Sequence, residues 1–313
     1  MQPESESASI GCASDRSVAT AAQYSSHPSG TGDDGSRVIS GQVFSQERAL
    51  FGESSVHVAE CIFEAGESPL KHSSDVSLAG CTFKWKYPLW YASDVAATDC
   101  LFLESTRAGI WYTTGVSVSG CLVEAPKMFR RCRDVSLERC TFTSADETLW
   151  ACQNVRLQDV SVAGDYFGMN SSNVKAQNLR LSGNYPFDGA SSVEVCDSKL
   201  IAKDAFWNCR DVAVRDSYIS GEYLAWNSVN VLFENCTIES LQGMCYIENL
   251  VMKNCRLLNT TLAFEYSTLE ADIASDIESV INPASGTIKA HHINHLILQK
   301  DRVDPSRTTI ICS

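Results

Sequence analysis

The sequence predicts an all-β fold, a single-stranded right-handed parallel β-helix of about 13 coils with about 19–20 residues in each coil. Three observations predict it: an apolar residue recurs at a nearly constant interval, apolar side chains alternate around it, and Asp or Asn follows at a regular distance. The recurring apolar position is held by Val56, Val76, Val95, Val116, Val135, Val155, Val174, Val193, Val212, Val231, Leu250, Leu269 and Ile288.

The repeat divides the chain into three parts. Residues 1–37 are rich in Ser, Gly, Ala and Asp and carry few large apolar side chains, so we expect a disordered N-terminal tail. Residues 38–300 carry the repeat and form the predicted β-helix. Residues 301–313 follow it and are expected to form a C-terminal tail or cap.

Each coil has a common internal pattern. Apolar side chains also stand two and seven residues after the recurring position, as Val58 and Phe63 do in one coil. A spacing of two is strand alternation, and the odd step between the two apolar positions requires a bend. Asp or Asn occupies that bend and a second one before the recurring position, because these residues tolerate left-handed backbone conformation.

Cysteines fill one row of the pattern, and we expect them to be buried and reduced. Seven of the 14 cysteines lie five residues after the recurring position: Cys61, Cys81, Cys100, Cys121, Cys140, Cys236 and Cys255. The N-terminus has neither the basic nor the apolar segment of a secretory signal, so the expected location is cytoplasmic. Without any C-x-x-C pair, we predict no metal site and no cofactor.

The charge of the chain limits its partners. A formal net charge of −13 opposes nucleic acid and an anionic membrane surface, so we expect neither as a partner. No apolar run is long enough to span a bilayer. A polyanionic substrate would require a local basic patch. An oligomer is possible.

Five tryptophans stand five residues before the recurring position: Trp90, Trp111, Trp150, Trp207 and Trp226. The residue before each is usually bulky and apolar, as Leu89 is, and alternation allows only one of the two rows to face inward. We give the inner place to the leucine row, so the indoles point outward. An outward aromatic row indicates either a stack covered by protein or a platform for sugar rings.

The first functional hypothesis is therefore a non-catalytic module that binds a glycan or a protein partner. Its ligand-binding residues would be the five tryptophans together with Asn208 and Asn227, which follow Trp207 and Trp226 directly.

The alternative is a hydrolase or lyase acting on a polysaccharide. Asp165, Asp204 and Glu222 stand in the segment before the tryptophan row, the last two in adjacent coils, and could supply acid and base, with Lys203 as base or charge stabiliser. Carboxylates one or two coils apart would be separated by about 5 or 10 Å, which brackets the spacings of retaining and inverting glycosidases. Any polar position of a β-helix repeats at this spacing, so solvated loop carboxylates are the competing interpretation.

The coil pattern resembles the pectin-lyase-like superfamily of parallel β-helices. The segments KYPLWY (86–91), KDAFWN (203–208), GEYLAWNS (221–228) and QGMCYIENL (242–250) are similar to those of one bacterial family of unknown function. The resemblance covers roughly residues 40–298 and implies the fold without an activity. Polygalacturonase-type enzymes carry Asn-Thr-Asp and Gly-His-Gly motifs that this chain lacks, so no catalytic role carries over.

Overall fold

The computed structural model describes residues 30–31 and 36–312 and has the architecture that the repeat predicts. The chain winds into a parallel β-solenoid of about 15 turns, with no α-helix among the described residues. Most of the predicted tail, residues 1–37, lies outside the described residues. Within them, no helix has the length and apolar character needed to cross a bilayer.

Each turn contributes a strand to a first parallel ladder, ladder 1, which contains the recurring apolar position. Its strands are Arg37–Ser40, Ser54–Ala59, Ser74–Ala79, Ser93–Thr98, Thr114–Ser119, Arg133–Glu138, Gln153–Gln158, Ser172–Gln177, Ser191–Cys196, Arg210–Arg215, Val229–Glu234, Glu248–Thr261, Thr268–Ile273, Ser285–Ala290 and Thr308–Cys312. A short antiparallel strand, Gly30–Thr31, pairs with the first of them.

A second ladder, ladder 2, follows after the bend and carries the next inward row. Its strands are Val43–Phe44, Ile62–Phe63, Thr82–Phe83, Leu101–Phe102, Leu122–Val123, Thr141–Phe142, Ser161–Ala163, Arg180–Ser182, Lys199–Ile201, Tyr218–Glu222 and Thr237–Leu241, and the long strand Glu248–Thr261 continues it. Stacked phenylalanines line its inner side, with ring centroids 4.6 Å apart for Phe63 and Phe83. These separations match the spacing of about 4.8 Å between neighbouring strands.

The third side of the solenoid is regular over only part of its length. Three strands, Leu89–Trp90, Ile110–Trp111 and Phe129–Arg130, form ladder 3. In later turns the same place is occupied by tight turns. The remaining elements are the paired strands Ile277–Ile281 and Ile293–Ile297 and the 3-10 turns Glu104–Thr106 and Pro305–Arg307.

The core rows confirm the sequence pattern. Every recurring valine from Val56 to Val231 is at most 2% exposed, and each pairs in register with the next, as Val135 does with Val155. Burying a Val side chain fully contributes about 1.5–3 kcal/mol relative to an exposed one. One such row along the whole rod is therefore a large part of the driving force for stacking the turns.

Two details of the predicted repeat are wrong at the ends. The solenoid has about 15 turns rather than 13, because the strands Arg37–Ser40 and Thr308–Cys312 add one turn at each end. The first of them carries Arg37 opposite Val56 and so lacks the apolar signature. At the other end Leu269 pairs with Gly286, and Ile288 pairs with Ala271. Ile288 is buried but stands two residues later in the turn than expected, since the loop before it is shorter.

The predicted bends are confirmed. Asp99, Asp159 and Asn178 in the first bend have φ values of 51–55°, and the second bend, with Asn154 and Asn173, is likewise left-handed. The side chains also bond to each other along the rod. The Asn178 amide donates to the Asp159 carboxylate over 2.7 Å, and the Asn173 amide donates to Asn154 over 2.9 Å.

The cysteine row is buried as predicted, and the seven thiols of the row are free. Each donates to a backbone oxygen, as Cys140 does to the carbonyl of Val118 at 3.4 Å. Their environment is that of a small buried hydrophobe with a satisfied weak donor. Among the described residues, no group of three or more His, Cys, Asp or Glu side chains is arranged to hold a metal ion.

Candidate functional site: the outer aromatic face

The structure places the tryptophan row on the outside of the solenoid. Leu89, Ile110 and Phe206 are at most 1% exposed inside the coil, and the indoles next to them are half-buried on the outer surface. The orientation follows from alternation in ladder 3, where Trp90 and Trp111 are register partners. Phe264, which holds the same place in a later turn, is buried completely and does not extend the face.

The indoles of the first group shield one another from solvent. The rings of Trp90 and Trp111 are parallel to within 5°, with centroids 5.1 Å apart. The Arg130 guanidinium then lies between two indoles, 4.6 Å from Trp111 and 4.9 Å from Trp150. We call the set Trp90, Trp111, Arg130 and Trp150 the closed stack. Its rings are shielded by their neighbours along the rod, which explains how they remain outside without a covering loop.

Hydrogen bonds fix the indoles of the closed stack. The Trp90 Nε1–H donates to the Ala108 carbonyl at 2.6 Å, and the Trp111 Nε1–H donates to the Lys127 carbonyl at 2.8 Å. A parallel column of His72, Tyr91 and Tyr112 runs beside them, with Tyr91 and Tyr112 centroids 4.9 Å apart.

The second group, Trp207 and Trp226, is less regular, and we call it the open stack. Its rings are 5.9 Å apart and inclined by 26°, and Tyr246 continues it at 4.8 Å with a 36° tilt. The residues lie in turns rather than on a strand, whereas the alternation argument assumes a strand at this position of every coil. The preceding residues, Phe206 and Ala225, have left-handed φ values of 57° and 55°, which strand geometry excludes.

Two turns without an aromatic residue in this column separate the stacks. Met169 and Asp188 take the place of the indoles there, both half-buried. Backbone hydrogen bonds from Ala151 to Met169 and from Gly189 to Trp207 show that these turns follow one another directly. Three steps of about 4.8 Å put Trp150 and Trp207 about 14 Å apart along the rod. We call this stretch the gap.

Polar side chains line the C-terminal side of the gap. The Asn208 amide donates to the Asp188 carboxylate at 3.2 Å, and the Asn227 amide donates to Asn208 at 2.8 Å. Both asparagines are exposed and left-handed. Burial raises the pKa of Asp188, and the Asn208 hydrogen bond opposes part of that rise.

The structure brings Lys203, Asp204 and Glu222 together in adjacent turns. The fourth predicted catalytic residue, Asp165, does not join them. Asp165 accepts a hydrogen bond from the Asn184 backbone N–H at 2.7 Å, so it fixes the next turn of the loop. Lys203 and Glu222 pair with each other at 3.3 Å. Asp165 and Glu222 occupy the same loop position three turns apart, about 14 Å, which exceeds the separation that either glycosidase mechanism uses.

Asp204 has the most unusual environment of the four. It is 1% exposed, and neither carboxylate oxygen accepts a hydrogen bond of normal geometry from the described residues. Tyr185 and Tyr223 occupy the same loop position in the turns before and after it. Burial raises the pKa of Asp204, and the Tyr185 hydroxyl and Lys203 ammonium lower it partly. A carboxyl group this inaccessible does not reach a substrate in this conformation.

Sequence reasoning missed Tyr185 and the importance of the gap. The tyrosines at this loop position form their own column, with Tyr166 and Tyr185 centroids 4.9 Å apart. The signal was present, because the residues recur every 19 positions as Tyr166, Tyr185, Asp204 and Tyr223. Their shared left-handed conformation, with φ between 56° and 58°, aligns the side chains along the rod.

The chain is similar to several solved structures, to different degrees. PfbA, a surface adhesin of Streptococcus pneumoniae, has a TM-score of 0.53 at 10% identity, over 73% of this chain and 84% of that one. The tailspike protein of E. coli bacteriophage HK620 has a TM-score of 0.36 at 13% identity, over 82% and 62%. The mannuronan C-5 epimerase AlgE4 A-module of Azotobacter vinelandii has a TM-score of 0.29 at 9% identity, over 88% and 89%.

The likeness to PfbA supports the solenoid architecture and nothing beyond it, because the identity is low. No curated protein matches the chain significantly. A family described as "Protein of unknown function (DUF3737)" matches residues 37–311, which is almost the whole solenoid. The chain therefore belongs to the DUF3737 family of proteins of unknown function.

Proposed function

We propose that this chain is a non-catalytic glycan-binding module and that the gap between the closed and open stacks is its binding site. The observation that carries the proposal is the placement of polar groups and ring faces. Elsewhere along the face a neighbouring ring or Arg130 lies against each indole. At the gap, Met169 is the next residue of the column after Trp150. Asp188, which accepts a hydrogen bond from Asn208, is the residue of the column before Trp207. The Tyr185 ring lies beside Trp207 at 6.4 Å and is tilted by 42°.

Aromatic and polar groups together suit a sugar. The C–H groups of a pyranose pack on the electron-rich face of an indole, and a small number of fixed polar groups set the orientation of its hydroxyls. Asn208 and Asn227 present amide groups, and Asp188 presents a carboxyl group. The gap of about 14 Å along the rod accommodates a short oligosaccharide.

Charge favours a neutral or amino-sugar glycan. The chain has a net charge of −13, and Asp188 adds a carboxyl group within the gap itself. An acidic sugar would be repelled by the net charge of the chain and by Asp188.

The cytoplasmic location expected from the sequence is also a proposal, and it is supported by the free buried thiols, which persist most readily in a reducing compartment.

A glycan array of neutral and amino-sugar oligosaccharides tests the function. We expect the wild-type protein to bind at least one of them, with Trp207→Ala and Asn208→Ala each weakening the affinity at least tenfold. Trp90→Ala is the matched control, because it removes an indole of the closed stack far from the gap. It should leave the affinity within about twofold, which is less than 0.5 kcal/mol.

Two outcomes would contradict the proposal. One is the absence of binding to every glycan of the array. The other is a loss of affinity in Trp90→Ala as large as in Trp207→Ala, which would show that the face as a whole is required. Dissociation of an oligomer by Trp207→Ala, measured by light scattering, would show instead that a protein covers the open stack.

A further inference from the structure

A second candidate site lies on a different side of the rod. The outer surface of ladder 2 has a depression of about 410 Å³ over the strands from Thr141–Phe142 to Lys199–Ile201. Its floor is made by small outward side chains, among them Ser161, Ala163 and Ser182. Larger side chains at the same positions in other turns, such as Leu122 and Tyr218, make the surface higher on either side.

Two cations lie in this depression one turn apart. Arg180 and Lys199 are register partners in ladder 2, and both are exposed. Neither forms an ion pair with a carboxylate of the described residues. The Lys199 ammonium lies 5.6 Å from the centre of the Tyr218 ring, which holds it beside the depression.

Several other outward cations of the rod are paired with acids of a neighbouring turn. Lys84 pairs with Glu64 at 2.8 Å on the same outer surface, and Arg215 pairs with Glu234 at 3.1 Å on ladder 1. Like charges directly opposite one another on neighbouring strands are destabilising. A chain with 38 acidic residues has ample carboxylates to neutralise Arg180 and Lys199, yet it places none there.

The bend after the depression is unusually tight. A Cβ atom on Gly183 would lie 1.9 Å from the Gly164 carbonyl oxygen, and one on Gly221 would lie 1.9 Å from that of Ala202. Only glycine permits such close approach of successive turns. The chain therefore leaves ladder 2 without a projecting loop, and the two cations remain accessible to a ligand.

We propose that this depression binds the phosphate group of a small phosphate monoester. Arg180 offers a planar fork of N–H donors and Lys199 offers a point charge, and a phosphate has enough acceptor oxygens and charge to engage both. The Ser161 and Ser182 hydroxyls are further donors, and Ile201 provides an apolar edge for the organic part. This site is independent of the gap and does not rest on the proposed glycan binding.

Calorimetric titration with inorganic phosphate and with glycerol 3-phosphate, at low ionic strength, tests the site. We expect saturable binding of both, with Arg180→Ala and Lys199→Ala each weakening it about tenfold. Lys175→Ala is the matched control, because it removes the same charge in a neighbouring turn from ladder 1, where Lys175 pairs with Glu194 at 3.3 Å. It should change the affinity less than twofold. Ile201→Ser should weaken glycerol 3-phosphate and leave inorganic phosphate unchanged.

The proposal is overturned if the wild-type protein binds neither probe. It is also overturned if Lys175→Ala weakens binding as much as Lys199→Ala, which would indicate a diffuse field rather than a site. Circular dichroism of each variant confirms that the solenoid is intact. Arg180 and Lys199 are exposed, so their replacement should leave folding unchanged.

Discussion

The first two indoles of the closed stack and the two indoles of the open stack stand at the same position of the turn, and they differ in the backbone that carries them. Trp90 and Trp111 are on the strands of ladder 3, and their rings are parallel to within 5°. Trp207 and Trp226 are in turns, and their rings are inclined by 26°. Strand register therefore aligns the indoles closely enough to shield each other, whereas a turn leaves them tilted and partly available.

The largest expected difference between the stacks is in stability. Trp111→Ala removes a ring that packs on Trp90 on one side and on Arg130 on the other, together with an Nε1–H hydrogen bond. We expect a loss of about 2 kcal/mol in the free energy of unfolding, below the range for a fully buried Trp. Trp226→Ala, in the open stack, should cost about 1 kcal/mol. Urea unfolding measures both, and an equal or larger loss for Trp226→Ala would remove the distinction between the stacks.

The pH dependence of stability should reveal the buried carboxyl group of Asp204, which lies in the loop beside the open stack. Burial raises the pKa of Asp204 above its unfolded value, so folding becomes less favourable as pH rises from about 4 through the raised pKa. Asp204→Asn should remove this contribution to the fall, leaving the part that comes from the raised pKa of Asp188, and should stabilise the protein at pH 7 by about 1 kcal/mol. Thermal unfolding at pH 4 and pH 7 measures the effect. Asp165→Asn, which changes a carboxylate in the same loop series, is the control that should keep the fall.

The smallest effect concerns the cation inside the closed stack. Arg130→Lys keeps the charge and loses the planar guanidinium between Trp111 and Trp150, so we expect a loss of about 0.5 kcal/mol. Arg131→Lys is the matched variant, because Arg131 lies 6.0 Å from a single ring, that of Tyr112. It should be neutral within error in urea unfolding. A larger loss for Arg131→Lys would show that the position of a guanidinium between two indoles is not what stabilises this region.

Much of the fold could be read from the sequence because inward rows obey one simple rule. The valine row, the cysteine row and the left-handed bends all follow from repeat and alternation, and the structure confirms them. The ends could not be predicted, since Arg37 lacks the apolar signature and the loop before Gly286 is shortened. The repeat therefore does not predict a strand that lacks the recurring apolar residue or the regular spacing.

Repeat spacing and alternation predict the candidate functional surfaces less well. Alternation places Leu89 inside and Trp90 outside, but it does not show that the indoles shield one another. The repeat spacing places Asp204 and Glu222 in adjacent turns, but it does not show that Asp204 is buried. Arg180 and Lys199 are ordinary charges in the sequence, and their position side by side in one depression requires the register of ladder 2.

The gap has a length that comes in whole turns. Trp150, Met169, Asp188 and Trp207 are each 19 residues apart, and each turn touches the next through the same set of backbone hydrogen bonds. Duplication or loss of one 19-residue unit would lengthen or shorten the distance between the two stacks by about 4.8 Å and leave the joints on either side intact. The length of the gap could therefore change during evolution by duplication or deletion of one repeat, without any change in the loops.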